Sequence, residues 1–118
     1  MKFLCLAYGD ESDWKSLTKD EQDALLAQDT VLRERGALVS AVKPSVHTVR
    51  AWDGKPEVSP TPVAPLPRTL AGFSVIEARD LNEAVTLVKD SPCARAKGYV
   101  ELREIQFINE APAVLQQG

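Results

Sequence analysis

The sequence predicts an α+β domain of the ferredoxin-like type, a split βαβ sandwich in which two helices lie on one face of a sheet. The first observation is a strand-like apolar run from Leu70 that changes at Asp80 into a helical pattern. The second is a capping box at Thr18 and Glu21, which starts a helix behind an apolar N-terminal strand. Strand and helix therefore alternate twice before a last strand.

The first strand and helix are the best defined. Residues 1–8 are apolar on both alternations, which is typical of a strand in the middle of a sheet. A polar loop follows over residues 9–13. The helix is predicted from Thr18 to about Arg35, with Gly36 as the residue that ends it. Its predicted apolar face consists of Ala24, Leu25, Val31 and Leu32, with Gln28 inside the stripe.

The middle of the chain is predicted to be an insertion made of a β-hairpin and a proline-rich segment. A strand over 37–42 ends before Pro44, and extended structure resumes over 47–52 up to the turn signal at Asp53-Gly54. Five of the eight prolines then fall within residues 56–67. Since proline cannot donate to a strand ladder, this segment is expected to be an edge or a loop and to add no central strand.

The second half of the chain again contains a strand followed by a helix, without an internal sequence repeat. Asp80 is the predicted N-cap, with Glu83 completing a box-like arrangement. Apolar residues recur at helical spacing behind this cap, and the helix is predicted to end at residues 90–92; the apolar positions are Leu81, Ala84, Val85 and Val88. The last strand is predicted over 99–107, with one face made of Val100 and Leu102 and the other of Tyr99, Glu101, Arg103 and Ile105. One domain over residues 1–108 and a weakly patterned tail over 109–118 are expected.

The composition excludes several classes of function. Fourteen basic and seventeen acidic residues are interleaved, so the basic face that nucleic-acid binding needs is absent from the sequence. No apolar run approaches the roughly 20 residues of a membrane helix. Cys5 is expected to be a buried hydrophobe, and Cys93 is expected to lie in a loop that can expose it. These two cysteines and the single histidine have no metal-ligand spacing, so we expect no metal, and no cofactor is expected either. Because two cysteines are not a disulfide framework and the opening apolar run is too short for a signal peptide, we expect a cytoplasmic location.

The predicted sheet requires a partner. Its two helices cover one face only, whereas the first strand is apolar on both. In a chain of 118 residues, a second copy of the same chain is the simplest cover for the other face. We therefore expect a homodimer.

Nine short segments across residues 1 to about 107 occur in a specific order and spacing: Met1-Lys-Phe-Leu-Cys-Leu-Ala-Tyr-Gly-Asp-Glu, Leu17-Thr-Lys-Asp-Glu-Gln, Arg35-Gly-Ala-Leu-Val, Thr48-Val-Arg, Asp53-Gly-Lys, Leu70-Ala-Gly-Phe-Ser-Val-Ile-Glu-Ala, Asp80-Leu-Asn-Glu-Ala, Ser91-Pro and Val100-Glu-Leu-Arg. In these segments the chain resembles the YCII-related family, in the branch named for a DGPF motif. The resemblance implies a dimeric α+β barrel, in which two four-stranded sheets pack face to face.

The family motif itself is degenerate here. The resemblance aligns Asp-Gly-Pro-Phe with residues 60–63, so the Asp on which the family's proposed enzymatic role rests is replaced by Pro60. Proline cannot ionise. His47 matches no dyad position of the family. The resemblance therefore implies that this chain lacks the means to carry out its relatives' chemistry in their way.

The candidate site residues follow from the last strand and the end of the first. Glu101 and Arg103 share a face, and an Arg that looks into a cleft between paired sheets can hold an anion bidentately. Tyr8 and Asp10 are placed near the same cleft as further ligand-binding candidates. His47 and Glu101 are candidates for acid–base catalysis. The structural alternatives are an ion pair for Glu101 and Arg103, a turn cap for Asp10 and an exposed histidine.

Two functions remain open at this point. The first is a non-catalytic homodimeric domain that binds a small molecule or has a regulatory role. The second is a small enzyme that performs acid–base chemistry on a small anionic metabolite in the dimer cleft through His47 or Glu101. The loss of the family Asp favours the first.

Overall fold

The fold is that of a computed structural model, which describes residues 1–109. The tail expected over 109–118 lies, apart from Asn109, outside the described residues. No helix within residues 1–109 is long and apolar enough to cross a membrane. The elements in chain order are β1 Lys2–Tyr8, α1 Glu11–Lys15, α2 Lys19–Glu34, β2 Leu38–Ala41, β3 Thr48–Arg50, β4 Glu57–Ser59, β5 Leu70–Glu77, α3 Leu81–Val88, α4 Pro92–Arg95 and β6 Tyr99–Glu104.

The main sheet has four antiparallel strands in the order β2-β5-β1-β6. This order is that of the ferredoxin-like fold, so the predicted fold class is confirmed. β1 pairs with β5 on one side and β6 on the other, and Cys5 lies opposite both Ser74 and Leu102. The central position predicted for the first strand is correct.

The core lies between the sheet and the helices on one face. Phe3, Cys5 and Ile76 point from the two central strands toward the helices and are almost fully buried. Ala84 and Val88 of α3 pack into the same cluster, together with Leu32 of α2. Because side chains of a strand alternate, the neighbours of these strand residues point to the opposite face of the sheet.

The helix ends follow the predicted caps with one difference. The Glu21 N–H donates to Thr18 Oγ1 over 3.1 Å, and the Thr18 N–H donates to Glu21 Oε1 over 2.9 Å, which completes the capping box. At α3, Asp80 Oδ1 accepts the Glu83 N–H over 2.8 Å. The Glu83 carboxylate, however, accepts from the backbone and side chain of Arg79 and not from the N-cap. The capping box expected at α3 is therefore incomplete, because the Glu83 carboxylate binds Arg79, the residue before the N-cap Asp80, and not the Asp80 N–H.

The predicted apolar faces of the helices are only partly buried. In α2, Leu32 is the one fully buried position among the described helix residues. Val31 is exposed, and Gln28 donates to the Leu87 carbonyl over 3.0 Å, tying α2 to α3. In α3, Leu81 and Val85 are exposed. Helical spacing predicted these positions as core, but solvated apolar residues are common on protein surfaces.

Two one-turn helices were not predicted. α1 occupies part of the segment expected to be a polar loop, and α4 follows α3 with Pro92 at its first position. A single turn is too short to show helical periodicity in a sequence. The last strand is also shorter than predicted, since β6 ends at Glu104.

The hairpin insertion forms a separate two-stranded sheet of β3 and β4. Its turn contains Gly54 at φ 85°, and Asp53 Oδ1 accepts the Lys55 N–H over 3.0 Å. Residues 60–69 contain no strand. As predicted, the proline-rich segment adds nothing to the four-stranded sheet.

Candidate functional site

The sheet face opposite the helices, termed here the open face, carries an apolar half and a polar half. Leu4 and Leu6 of β1 lie opposite Val75 and Phe73 of β5, and these four side chains are half-buried. Leu38 on the edge strand β2 is opposite Val75 and is 59% exposed. These residues form the apolar half.

The polar half lies where β1 pairs with β6. The register places Tyr8 opposite Tyr99, Leu6 opposite Glu101 and Leu4 opposite Arg103. The two tyrosine rings are stacked with their centroids 4.9 Å apart and an angle of 26° between their planes. Three of the predicted ligand-binding residues, Tyr8, Glu101 and Arg103, are therefore on one surface.

Glu101 is the centre of this group. Its carboxylate accepts a hydrogen bond from the Tyr8 phenol, and its Oε2 is 3.6 Å from Arg103 Nη2. The hydrogen bond to Glu101 raises the pKa of Tyr8 above its ordinary value, and burial of the phenol raises it further. Tyr8 is thus held as a neutral donor. Arg103 keeps a side chain that is 65% exposed, so its guanidinium is accessible to a ligand.

Asp10 is held in a different setting. Its Oδ1 accepts the Thr69 N–H over 3.1 Å, and its Oδ2 is 3.8 Å from Arg68 Nε. Asp10 also precedes α1 and accepts through its carbonyl from that helix. Its side chain makes no cap hydrogen bond to α1, so the turn-capping role that the sequence allowed is not seen; its carboxylate instead contacts Thr69 and Arg68. Asp10 lines a separate cleft that contains neither Glu101 nor Arg103.

His47 is exposed and precedes β3, so it belongs to the hairpin insertion and not to the main sheet. Among residues 1–109 it has no hydrogen bond or ion pair with another side chain. The structure does not join it to Glu101 as an acid–base pair.

Cys93 differs from the prediction. It lies in α4 and not in an exposed loop, and its sulfur is close to Gly9, where an added Cβ would be 3.0 Å from Sγ. Burial and the nearby Asp29 carboxylate both raise the pKa of the Cys93 thiol. It is therefore a protonated, weakly reactive thiol. Cys5 is buried, as predicted.

Two features of the site region escaped sequence analysis. Arg68 forms an ion pair with Asp13, although the two lie far apart in the sequence. Trp14 lines the cleft near Asp10 from a helix that was not predicted. Neither the ion pair nor the position of Trp14 in the cleft can be predicted from neighbouring residues, because both depend on how distant segments of the chain pack together. No group of three His, Cys, Asp or Glu side chains in the described part of the chain is placed to hold a metal ion.

Comparisons with known proteins now identify the family. The family model of the YCII-related domain matches residues 1–109. One solved structure to which the chain is similar is the 5-chloro-2-hydroxyhydroquinone dehydrochlorinase TftG from Burkholderia phenoliruptrix AC1100, in complex with 2,5-dihydroxybenzoquinone. It is 16% identical, with a TM-score of 0.47, over 90% of this chain and 94% of that one. No curated protein matches the sequence. The chain belongs to the YCII-related domain family.

Proposed function

We propose that this chain is a non-catalytic homodimeric protein that binds a small anionic ligand between the open faces of two copies. The observation that carries the proposal is the joint placement of Tyr8, Glu101 and Arg103 on the open face. The apolar half of that face supplies the contact between copies, and the polar half supplies the ligand contacts.

The dimer is supported by the one-sided packing of the helices. The core residues of α2 and α3 all lie against the face that carries Phe3, Cys5 and Ile76. On the other face, Leu4, Leu6 and Phe73 are half-buried and could lose further area to a partner. A stable pair should bury at least ~1,000 Å² in total. Pairing about a two-fold axis would place the same residues on both sides of the interface.

The choice of an anionic ligand is supported by Arg103. Its guanidinium can donate two parallel hydrogen bonds to a carboxylate or phosphate. The single contact of 3.6 Å between Glu101 Oε2 and Arg103 Nη2 does not occupy the five N–H donors of the exposed guanidinium, so donors remain for a ligand. Two facing sheets would exclude water from this region, which would strengthen each charged contact.

The alternative is acid–base catalysis on a small anionic metabolite. In this alternative Glu101 is favoured over His47 as the catalytic base, because the Tyr8 phenol places a proton donor beside the Glu101 carboxylate. Against it stands the raised pKa of Tyr8, which makes the phenol a poor acid, and the replacement of the family Asp by Pro60.

Light scattering at micromolar protein concentration tests the dimer. The wild type should have the mass of two chains, and Leu6→Glu should reduce it to one because the new carboxylate lies in the apolar half of the open face. Leu81→Glu changes an exposed position on α3 and should remain dimeric. A monomeric wild type would contradict the proposal.

Thermal shift with phosphate, citrate and benzoate tests the ligand site. Wild type should be stabilised by at least one of these anions, and Arg103→Ala should lose the effect while keeping its own melting temperature nearly unchanged. Arg95→Ala is the matched control, because Arg95 is an exposed Arg on α4, away from the open face. If the anions stabilise wild type and Arg103→Ala equally, or stabilise neither protein, the proposed ligand site at Arg103 is contradicted. Turnover of a ligand that is abolished by Glu101→Gln would establish the catalytic alternative.

A further inference from the structure

The cleft that Asp10 lines has a volume of about 390 Å³ and lies at the C-terminal end of β1. Its walls come from four separate segments: the β1–α1 turn, the start of β5, the chain after β2, and α4. The lining is mainly apolar, and its main contributors are Trp14, Val42, Pro44, Leu70, Pro92 and Cys93. None of these residues belongs to the site proposed above.

Three of the four wall segments are joined by hydrogen bonds, so this part of the cleft is already formed. The Gly9 N–H donates to the Thr69 carbonyl over 2.8 Å, and the Thr69 N–H donates to Asp10 Oδ1 over 3.1 Å. The Val42 N–H donates to the Ala71 carbonyl over 2.9 Å. A ligand would therefore lose little free energy to ordering of the protein.

Trp14 provides the largest flat surface in this cleft. Its indole is half-buried, and the Trp14 carbonyl accepts from the Gln22 side chain over 2.9 Å, which fixes the end of α1 against α2. Aromatic side chains prefer offset-stacked or edge-to-face contacts with other rings. The cleft therefore favours a ring-shaped ligand over a flexible chain.

The charge at the cleft is negative. Asp10 and Glu11 line it, whereas no Lys, Arg or His is among its lining residues. Glu11 is partly compensated by Lys15 at 3.0 Å, and Asp10 by Arg68 at 3.8 Å. The Cys93 thiol, whose pKa is raised by burial, adds no charge to the wall. A carboxylate or phosphate brought into this cleft would meet two acidic side chains in its lining, whereas the nearby cations Lys15 and Arg68 are paired with those acids and do not line the cleft.

We propose that this cleft binds a small aromatic molecule that carries no negative charge, stacked against Trp14. The inference does not depend on dimerisation or on Arg103. The cleft is proposed to disfavour anions, whereas the open face is proposed to bind them. The two sites can therefore be tested separately.

Fluorescence of Trp14 provides the test. Trp52→Phe removes the other of the two tryptophans, which is 91% exposed on the hairpin, and leaves Trp14 as the reporter. In this background benzyl alcohol, benzylamine and benzoate form a matched set of neutral, cationic and anionic probes. We expect a saturable change in emission with benzyl alcohol and benzylamine, and at least tenfold weaker binding of benzoate.

Two variants in the same background locate the response. Val42→Phe should fill the cleft and weaken benzyl alcohol binding at least tenfold, with circular dichroism as the check on folding. Glu11→Lys changes an exposed side chain at the rim of the cleft. It should reduce the difference in binding affinity between benzylamine and benzoate. This second variant keeps the proposal testable if Val42→Phe does not fold.

Arg103→Ala in the same background should leave all three titrations unchanged, which separates this site from the open face. A change in emission that is linear in probe concentration for all three probes would overturn the proposal. Benzoate binding as tight as that of benzylamine, unaffected by Glu11→Lys, would also overturn it.

Discussion

Arg68 and Asp13 connect two loops that are far apart in the chain. Arg68 Nε donates to Asp13 Oδ2 over 2.7 Å, and both side chains are largely shielded from solvent. Arg68 also donates through Nη1 to the neighbouring Pro67 carbonyl over 2.9 Å. The end of the proline-rich segment is thereby fixed against α1, beside the cleft that contains Trp14.

Arg68→Ala should lower the free energy of unfolding by about 1–2 kcal/mol, because a charge-assisted hydrogen bond is lost and the Asp13 carboxylate is left partly buried. Urea denaturation would measure this loss. Arg50→Ala, which removes an exposed Arg that lies 5.5 Å over the Trp52 ring, should cost much less. If the losses in free energy of unfolding caused by Asp13→Ala and Arg68→Ala simply add in the double variant, the ion pair contributes nothing to stability.

The capping box at α2 should make stability depend on pH in the acid range. The Thr18 backbone N–H, which donates to the Glu21 carboxylate, lowers the pKa of Glu21, and the Thr18 side chain lowers it further. A lowered folded-state pKa gives stabilisation that is complete above the ordinary Glu value of ~4.3 and is lost as pH falls through the folded-state value.

Glu21→Gln should therefore be less stable than wild type at neutral pH, and the difference should shrink as pH falls to ~3. Thermal melts across this range would measure it. Thr18→Ala should cost about 1 kcal/mol at neutral pH, because the N-cap acceptor is removed. A difference between Glu21→Gln and wild type that stays constant with pH would contradict the assigned ionisation.

Glu101→Gln should lower the pKa of Tyr8 toward its ordinary value, because the charged acceptor of the phenol is removed. The raised folded-state pKa in wild type gives stabilisation that is present below ~10 and is lost as pH rises through the folded-state value. Alkaline titration of tyrosinate absorbance in a Tyr99→Phe background isolates Tyr8. An unchanged titration after Glu101→Gln would show that burial alone sets the shift.

Gly72→Ala should destabilise the sheet by about 1–3 kcal/mol, because an added Cβ would overlap the Ser40 carbonyl of the neighbouring strand β2. Hydrogen exchange of β2 amides should speed up relative to those of β1 and β6. Gly54→Ala is the contrasting change: its φ of 85° costs about 1–2 kcal/mol, but nothing lies near the new Cβ, so exchange in β2 should be unaffected. Unchanged β2 protection in Gly72→Ala would show that the strand can move aside.

Local sequence alone determined where α2 and α3 begin. Thr18 and Glu21 are three residues apart, as are Asp80 and Glu83, and each N-cap side chain meets its backbone partner within the first helical turn. The hairpin turn at Gly54 is equally local. The alternation of β1 placed Tyr8 on one face and Cys5 on the other, and the alternation of β6 placed Glu101 and Arg103 together. These inferences held because the interactions span a few residues.

Tertiary structure decided what each side chain meets. Nothing near Asp10 in the sequence indicates that it caps the backbone at Thr69, and nothing near Asp13 indicates Arg68. Helical spacing likewise placed both Leu81 and Ala84 on the predicted apolar face of α3, whereas only Ala84 is buried. Burial and long-range pairing depend on how distant strands align, and that alignment is fixed by the sum of many weak contacts and not by any short segment. The placement of Tyr8 beside Glu101 therefore appears only when β1 and β6 pair.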